Sequence, residues 1–426
     1  VTGVRTLTVV AILALTATGC SHQVEPVAAP GDVLGVATLA NTQTTHGLIA
    51  NPHRRGTGST SSGPGGAPAE ALSRFHDLGS LAGPGTPSEA TDLNDRGDVV
   101  GVTSLPGTQT AHAFIANPRH KGGHLIEITP SQAGSSRAQA INRFGVVAGT
   151  LGLGIGPPTP APDGSQPLLQ PFVWEARTGL DVLPLPPGAG GAQAVDINDK
   201  GTVLVVGTNA TGVGLPVGSY LWNPASRTYT TLPPPTTSVT GPVALAHTLD
   251  ERGGVAGGLV TQVGEQSWHH TAVVWQPGTL AVQQLPTGGS ADTYATDRNE
   301  NGLIVGWRIN APGQSTTAIY WPSANAQPVE LPGRVAYRVN DAGQIVGIRN
   351  FTGSSAYPFS AVMWEPRRGR TTRLGDNDLG SYVIAVNASG RSAGFAVATR
   401  NGNNHNTAGW WDPPRRGDCP RHCSPR

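Results

Sequence analysis

The amino-acid sequence predicts an all-β fold, a β-propeller of four-stranded blades, seven in number with eight as the alternative. Three observations predict it. Asn or Asp is followed three residues later by Gly in the pairs Asn94 and Gly97, Asn142 and Gly145, Asn198 and Gly201, Asp250 and Gly253, Asn299 and Gly302, Asn340 and Gly343, and Asn387 and Gly390. Successive glycines of this set are 48, 56, 52, 49, 41 and 47 residues apart, a spacing that suits a small sheet repeated in tandem. Six tryptophans, Trp174, Trp222, Trp275, Trp321, Trp364 and Trp411, fall at one place in the repeat. Finally, 58 Gly and 37 Pro against 13% charged residues suit many short strands joined by turns, with no sustained helical pattern.

The segment from Gly302 to Asn340 shows one unit. GLIVGW, TAIYWP, PVELPG and AYRVN are short runs rich in Val, Ile, Tyr and Trp, separated by Gly, Pro and Asn, and they read as a four-stranded meander. The Asn-x-x-Gly joint suits a tight turn, because Asn or Asp folds back on the backbone and Gly accepts the left-handed conformation. Asp250 keeps that chemistry. Most units repeat a glycine four residues after the first (Gly101, Gly149, Gly257, Gly306, Gly347, Gly394, and Gly35 after Gly31), whereas Gly201 is followed by Gly207. The recurring Trp, in the second strand of the unit, is expected to pack between blades, with Ala50 and Ala116 in its place in the first two units.

The stretches from Gly31 and from Gly97 match at 15 of 26 positions, which makes Gly31 the start of the first unit. Counting forward gives seven complete units and a partial eighth. Two Gly-, Ser- and Pro-rich inserts, 53–74 and 152–170, read as loops between strands. HAFIANP at His112 to Pro118, ATDLNDRGDVVGV at Ala90 to Val102 and AVDINDKG at Ala194 to Gly201 resemble the HAF family of bacterial extracellular repeat proteins. The resemblance covers Gly31 to Pro413. It implies a secreted repeat fold and brings no active site. The His itself is kept only at His46 and His112, with Gln170, Gly218, Thr271, Thr317 and Ser360 near that place elsewhere.

Net charge is +1, too small a field to favour a nucleic-acid partner. Arg5 precedes a short apolar run, Leu7 to Leu15, and small residues lead to Cys20. The run is short for a membrane span and reads as a secretion signal over 1–20. Small residues directly before Cys20 resemble a lipobox, so Cys20 is expected to carry a lipid, with an ordinary secretory signal as the alternative. Residues 21–30 then form a tether, 31–413 the propeller and 414–426 a basic tail. Cys419 and Cys423 could close a disulfide in an oxidising compartment, or join His422 as metal ligands.

Motifs that spell chemistry have plainer readings. Gly390-Arg391-Ser392-Ala393-Gly394 spells a nucleophile elbow, but sister units place Val or Ile where Ser392 stands. The glycines 149, 152, 154 and 156 run into Pro157, which starts no helix to hold a pyrophosphate. Asp92 to Gly97 and Asp196 to Gly201 look like fragments of calcium loops, yet Asx turns explain them. Trp268, His269 and His270 form the most site-like cluster, a ligand or metal candidate expected in a loop between strands. Arg416-Gly417-Asp418 is the tripeptide read by integrins, set in a basic tail where chance explains it. Asp181, Asp292, Glu330 and Asp376 form no recognisable carboxylate pair. No catalytic residue, metal or cofactor is assigned. The expected function is an extracytoplasmic, lipid-anchored binding scaffold at the bacterial cell surface for an unknown protein or glycan. Its alternatives are a propeller hydrolase or lyase on envelope carbohydrate, and a purely structural surface protein.

Overall fold

Turn chemistry builds each blade from its centre. Asn94 Oδ1 accepts the N–H groups of Arg96 and Asp98, both at 3.0 Å, while Gly97 N–H donates to the Asn94 carbonyl at 3.0 Å. The same closing bond runs from Gly145 to Asn142 (3.0 Å), from Gly253 to Asp250 (3.0 Å) and from Gly343 to Asn340 (2.9 Å). Gly97, Gly145, Gly201, Gly253, Gly302, Gly343 and Gly390 all have φ between 74° and 91°, a region that strains any residue with a Cβ. Space is not what demands glycine at Gly253 and Gly343, which are only half-buried and where an added Cβ would meet nothing; the backbone angle is. At half-buried Gly145 a Cβ would also run into the Arg96 guanidinium of the preceding blade. The turn is tight enough to pair the strand before it with the strand after it.

The computed structural model describes residues 71–413 except 106–109, 118–124, 131–133, 154–167, 210–216, 235–242, 265–266, 312–313, 351–358, 375–379 and 401–402. Two strands come first, β1 (Ala71–Ser73) and β2 (Phe75–Gly79). Blade 1 is β3 (Ser88–Leu93), β4 (Val99–Ser104), β5 (Ala111–Ala116) and β6 (Ile126–Glu127). Blade 2 is β7 (Ser136–Ile141), β8 (Val147–Leu151), β9 (Gln170–Glu175) and β10 (Gly179–Val182). Blade 3 is β11 (Gly191–Ile197), β12 (Val203–Thr208), β13 (Gly218–Asn223) and β14 (Thr228–Thr231). Blade 4 is β15 (Val243–Leu249), β16 (Val255–Gly264), β17 (Ser267–Trp275) and β18 (Val282–Gln284). Blade 5 is β19 (Asp292–Arg298), β20 (Ile304–Ile309), β21 (Thr317–Trp321) and β22 (Val329–Glu330). Blade 6 is β23 (Val335–Val339), β24 (Ile345–Asn350), β25 (Phe359–Glu365) and β26 (Arg370–Leu374), with β1 added in parallel to β26. Blade 7 is β27 (Ser381–Val386), β28 (Ser392–Arg400), β29 (Asn403–Trp411) and, outermost, the early strand β2. The fold is a seven-bladed β-propeller.

Three expectations shift. The run AYRVN does not end its unit: it is β23, the innermost strand of the next blade, because the turn of Asn340 and Gly343 ties it to β24. The partial eighth unit is not an extra blade either, since β28 and β29 join β27 and β2 to complete the seventh. Residues 71–73 of the first insert form β1 rather than loop. The first unit's opening strands, from Gly31 with Gly35, His46 and Ala50, lie outside the described residues.

Neighbouring blades are tied at both ends. At the turn end, the side-chain amide of each turn Asn donates to the main-chain carbonyl of the next turn residue around the ring. The links run Asn94 to Asn142 (3.1 Å), Asn142 to Asn198 (3.1 Å), Asn198 to Asp250 (3.3 Å), Asn299 to Asn340 (2.9 Å), Asn340 to Asn387 (2.9 Å) and Asn387 to Asn94 (3.1 Å). The last of these closes the circle. Asp250 has no amide to give, and there an ion pair replaces the link, Arg298 Nε to Asp250 Oδ2 at 2.9 Å. At the other end, hydroxyls at the start of inner strands accept the N–H of a buried Ala in the preceding blade. Examples are Ser136 with Ala113 (2.9 Å), Thr293 with Ala272 (3.1 Å), Ser381 with Ala361 (3.0 Å) and Ser88 with Ala408 (2.9 Å).

Apolar wedges fill the space between these ties. The recurring Trp sits in the third strand of each blade from 2 to 7, opposite the first residue of the second strand. Ala116 takes that place in blade 1, opposite Val99. Trp222, Trp275, Trp321, Trp364 and Trp411 are buried, each in a cluster with residues of the preceding blade, such as Trp364 with Val305, Ala318 and Leu331. The indoles of Trp275 and Trp321 also donate to Pro233 and Pro286 of the preceding blade, at 2.9 and 2.8 Å. A Cβ on Gly306 would collide with the Tyr294 carbonyl, so glycine at that place lets the two inner strands approach.

The substituted link offers a test. Asp250→Asn should cost about 3 kcal/mol of unfolding free energy in urea, because Arg298 then keeps a shielded charge without a partner. Leu93 and Leu249 stand at the place of Arg298 in blades 1 and 4. Adding Arg298→Leu should therefore bring the double variant back to within about 1 kcal/mol of the parent. A double variant no more stable than Asp250→Asn would show that the amide belt does not set stability there.

Candidate functional site

Every inner strand bulges, with a register shift three residues before the turn residue at Thr91, Gln139, Val195, His247, Thr296, Tyr337 and Ile384. A bulge re-aims the side chains around it. The next position holds Asp92, Ala140, Asp196, Thr248, Asp297, Arg338 and Ala385, one per blade. Asp92, Asp196 and Arg338 come from non-adjacent blades yet act on one another electrostatically, which places this register on the propeller axis. The axis thus carries three carboxylates around one guanidinium.

Each carboxylate is held by main-chain groups. Asp92 accepts from Leu93 N–H (2.8 Å) and, across the blade junction, from Ile141 N–H (2.9 Å). Asp196 accepts from Ile197 N–H (2.8 Å), Leu249 N–H (2.8 Å) and the Thr248 hydroxyl (3.0 Å). Asp297 accepts from Val339 N–H at 2.7 Å, and its Oδ1 lies 2.7 Å from the Thr248 hydroxyl, whose single hydrogen serves Asp297 or Asp196 at one time. Arg338 donates to the Thr296 carbonyl at 3.1 Å. Burial disfavours the charged carboxylates and outweighs the attraction of Arg338. Asp92 is raised to about 7, Asp297 to about 6, and Asp196 is raised as well. Burial works against the Arg338 charge too, but Asp297, Asp196 and Asp92 outweigh it and hold its pKa above the ordinary value. Titration near neutrality is compatible with acid–base chemistry. The oxygens, however, already serve to join blades.

Beside this cluster lies a buried aromatic group. His247 stands edge-on to Tyr294 with ring centres 4.8 Å apart, and Tyr294 stacks on Trp307 at 5.4 Å. His270 packs against both rings, and neither of its ring nitrogens has a hydrogen-bond partner among the described residues. Burial, then the charge of Arg338, then His270 push His247 down to about 3; burial lowers His270 as well. The His247 imidazole therefore stays neutral across the physiological range.

The turn end of the ring is acidic. Directly after the turn residue stand Asp95, Arg143, Asp199, Glu251, Glu300, Asp341 and Ala388. Five of these places are carboxylates, and each accepts the N–H of the corresponding residue one blade back, as Glu300 does from Glu251 at 2.7 Å. Glu251 is exposed as a residue, but partial loss of water around its carboxylate raises it to about 7, helped by Asp199, Asp196 and Glu300. Arg143 and Arg252 answer part of the charge through Asp199 and Glu300, at 3.0 and 2.9 Å.

The sequence-derived candidates fall elsewhere. Trp268, His269 and His270 lie within strand β17, not in a loop, because β16 and β17 continue pairing out to Gly264 and Ser267. Alternation along that strand exposes His269, which meets Asp292 at 3.2 Å, and buries His270. Asp181 pairs with Arg227 at 2.8 Å and Glu330 pairs with Arg308; these carboxylates do not converge. Ser392 is buried opposite Trp411, at the place of Val255 opposite Trp275. Cys20, Asp376, Cys419, Cys423 and residues 416–418 lie outside the described residues. Among the described residues, no three His, Cys, Asp or Glu side chains gather to hold a metal. Sequence reasoning missed the axial register; the signal was Asp92, Asp196 and Asp297, each two places before a turn residue, with Arg338 at the same place.

No family model matches the chain, and no curated protein matches it. Solved structures do. The β-propeller domain of the Trilobed protease from Pyrococcus furiosus, described as having an open velcro topology, is similar at 12% identity and a TM-score of 0.51, over 76% of this chain and 96% of that one. Acylaminoacyl peptidase from Pyrococcus horikoshii is similar at 11% identity and a TM-score of 0.47, over 79% of this chain and 52% of that one. Virginiamycin B lyase from Staphylococcus aureus is similar at 10% identity and a TM-score of 0.46, over 80% of this chain and 99% of that one. Identities this low show the propeller fold alone.

Asp92 makes a pH test. Its folded pKa near 7 lies above the unfolded value of 3.8, so its contribution to stability is full below pH 3.8 and is lost as pH rises through 7. Between pH 5 and pH 8 the parent should lose stability through this group, by up to about 1.4 kcal/mol per unit inside the window. Asp92→Asn should lose less over the same interval in urea unfolding at the two pH values. An identical loss in both proteins would mean that Asp92 does not take up a proton on folding.

Proposed function

We propose that this chain is an extracytoplasmic interaction scaffold of the HAF-repeat kind, tethered at the bacterial cell surface by a lipid on Cys20. The axial carboxylates carry this reading. Asp92, Asp196 and Asp297 bond the main chain of the following blade, so the polar groups at the axis serve the frame. Recognition then falls to the connections at the end opposite the Asn-x-x-Gly turns, where variable loops are held by a rigid ring. The paired strands β16–β17 and β28–β29 are longer there than their counterparts in other blades. The partner on this reading is an envelope protein or glycan.

A second reading, a hydrolase or lyase acting on envelope carbohydrate, draws on the near-neutral pKa values of Asp92 and Asp297. Incubation with envelope polysaccharide separates the two. Binding with the polymer intact agrees with the scaffold, whereas new reducing ends or unsaturated products, lost in Asp92→Asn, agree with the enzyme. For the tether, Cys20→Ser in a bacterial host should move the protein from the membrane fraction to the medium. Unchanged partitioning would rule the lipid out.

A further inference from the structure

A cleft of about 760 Å³ opens at the seam where the two ends of the described chain meet. One wall is the end of β2 with the following connection, residues 77–86; the other is the hairpin β28–β29. Most polar groups in it are already engaged. Asp77 Oδ1 accepts from Gly79 N–H at 2.7 Å and from the Thr407 hydroxyl at 2.5 Å, and Ser80 is bonded to Thr103 at 2.9 Å and Thr86 at 2.7 Å. Two basic side chains are not. Neither Arg400 nor His405 has a hydrogen-bond or ion-pair partner among the described residues, and His405 Nδ1 is buried without one. The Arg400 stem crosses Gly85, where an added Cβ would stand 2.9 Å from its Cδ; Gly85 also has φ +94°. Glycine at 85 therefore lets the guanidinium stem lie on the connection.

We propose that this cleft binds an anionic group, with the Arg400 guanidinium as its donor and the His405 ring in its wall. A planar guanidinium with free donors matches a carboxylate or a phosphate in two parallel hydrogen bonds. Asp77 and the hydroxyls beside it suit a ligand that also carries hydroxyl donors, as an acidic sugar does. The bound molecule would touch both β2 and β28–β29, so it would stabilise the closed ring as it binds. The inference goes beyond the scaffold reading and holds with or without a lipid on Cys20.

The test is thermal unfolding and calorimetric titration of the full chain with D-glucuronate, D-glucose and inorganic phosphate at one fixed ionic strength. A saturable rise in Tm with glucuronate and none with glucose is expected. Arg400→Gln should weaken glucuronate binding about tenfold or more, and Gly85→Ala, which keeps both Arg400 and His405 but displaces the Arg400 stem, should weaken it too. Both variants should unfold within a few degrees of the parent when no ligand is present. Phosphate binding as tight as glucuronate would support the anion site and point to a phosphate-bearing polymer as its source. An equal response to glucose, an unchanged affinity in Arg400→Gln, or no saturable response to either anion would overturn the proposal.

Discussion

An asparagine side chain has an acceptor and two donors, and the ring depends on using both kinds at once. The oxygen folds the Asn-x-x-Gly turn and so makes the innermost hairpin of a blade; the amide reaches the main chain of the next blade and so fixes where that blade sits. Local and global structure are set by the same side chain. A four-stranded sheet cannot bury its faces alone, so the blades depend on this angular placement to bring each tryptophan against its neighbour. Asp250 shows the constraint by exception. Its carboxylate keeps the local turn, with Arg252 N–H at 3.0 Å, but cannot donate onward, and Arg298 is recruited from blade 5 in its place.

Closure then decides how the ring behaves as a unit. Strand β2 pairs with β29 through Phe75 opposite Trp411 and His76 opposite Trp410, so one blade is assembled from residues more than 300 positions apart. The seam is reinforced: His76 stacks on Trp410 at 3.8 Å, the Arg391 guanidinium lies 4.3 Å from the same indole, and Asp412 bonds both His76 and Arg391. Such contacts carry the largest loop-closure entropy in the molecule. Opening is therefore expected to start there, which gives a ligand in the seam cleft leverage over the whole ring.

Much of the fold was legible because the repeat is written in residues with special backbone needs. The turn glycines marked the unit: even Gly253 and Gly343, with open space around them, are held to glycine by a positive φ, so the letter survives where packing would let it drift. The shared place of the tryptophans marked the strand register. The blade boundary was not legible, since strand patterns say which segments extend but not which neighbours they pair with. The run AYRVN belongs equally well to either side until the turn after it is seen to be a hairpin. The eighth partial unit was ambiguous for the same reason: only closure shows that β28 and β29 complete a blade with β2. The candidate sites fared worse. Histidines at 269 and 270 look like a pair in sequence, but a strand sends neighbours to opposite faces. The axial cluster is invisible along the chain because its successive members are 41 to 104 residues apart, and each looks like part of a turn.

That cluster shows why charge can sit at the centre of a propeller. Three carboxylates around Arg338 would leave the axis with excess negative charge if all were ionised, on side chains that meet little water: Asp297 is buried, and Asp92 and Asp196 are half-buried. The structure limits the cost in two ways: each Asp accepts main-chain N–H groups that the bulged strand leaves available, and burial keeps Asp92 and Asp297 partly protonated near neutrality. The same hydrogen bonds cross a blade junction and so add to the amide belt one layer further in. An apolar residue could fill the place, as Ala140 and Ala385 do, but it could not tie the next strand. The charges are thus retained at the positions where they hold neighbouring blades, and Thr248 extends the pattern by standing within hydrogen-bond reach of Asp196 on one side and Asp297 on the other.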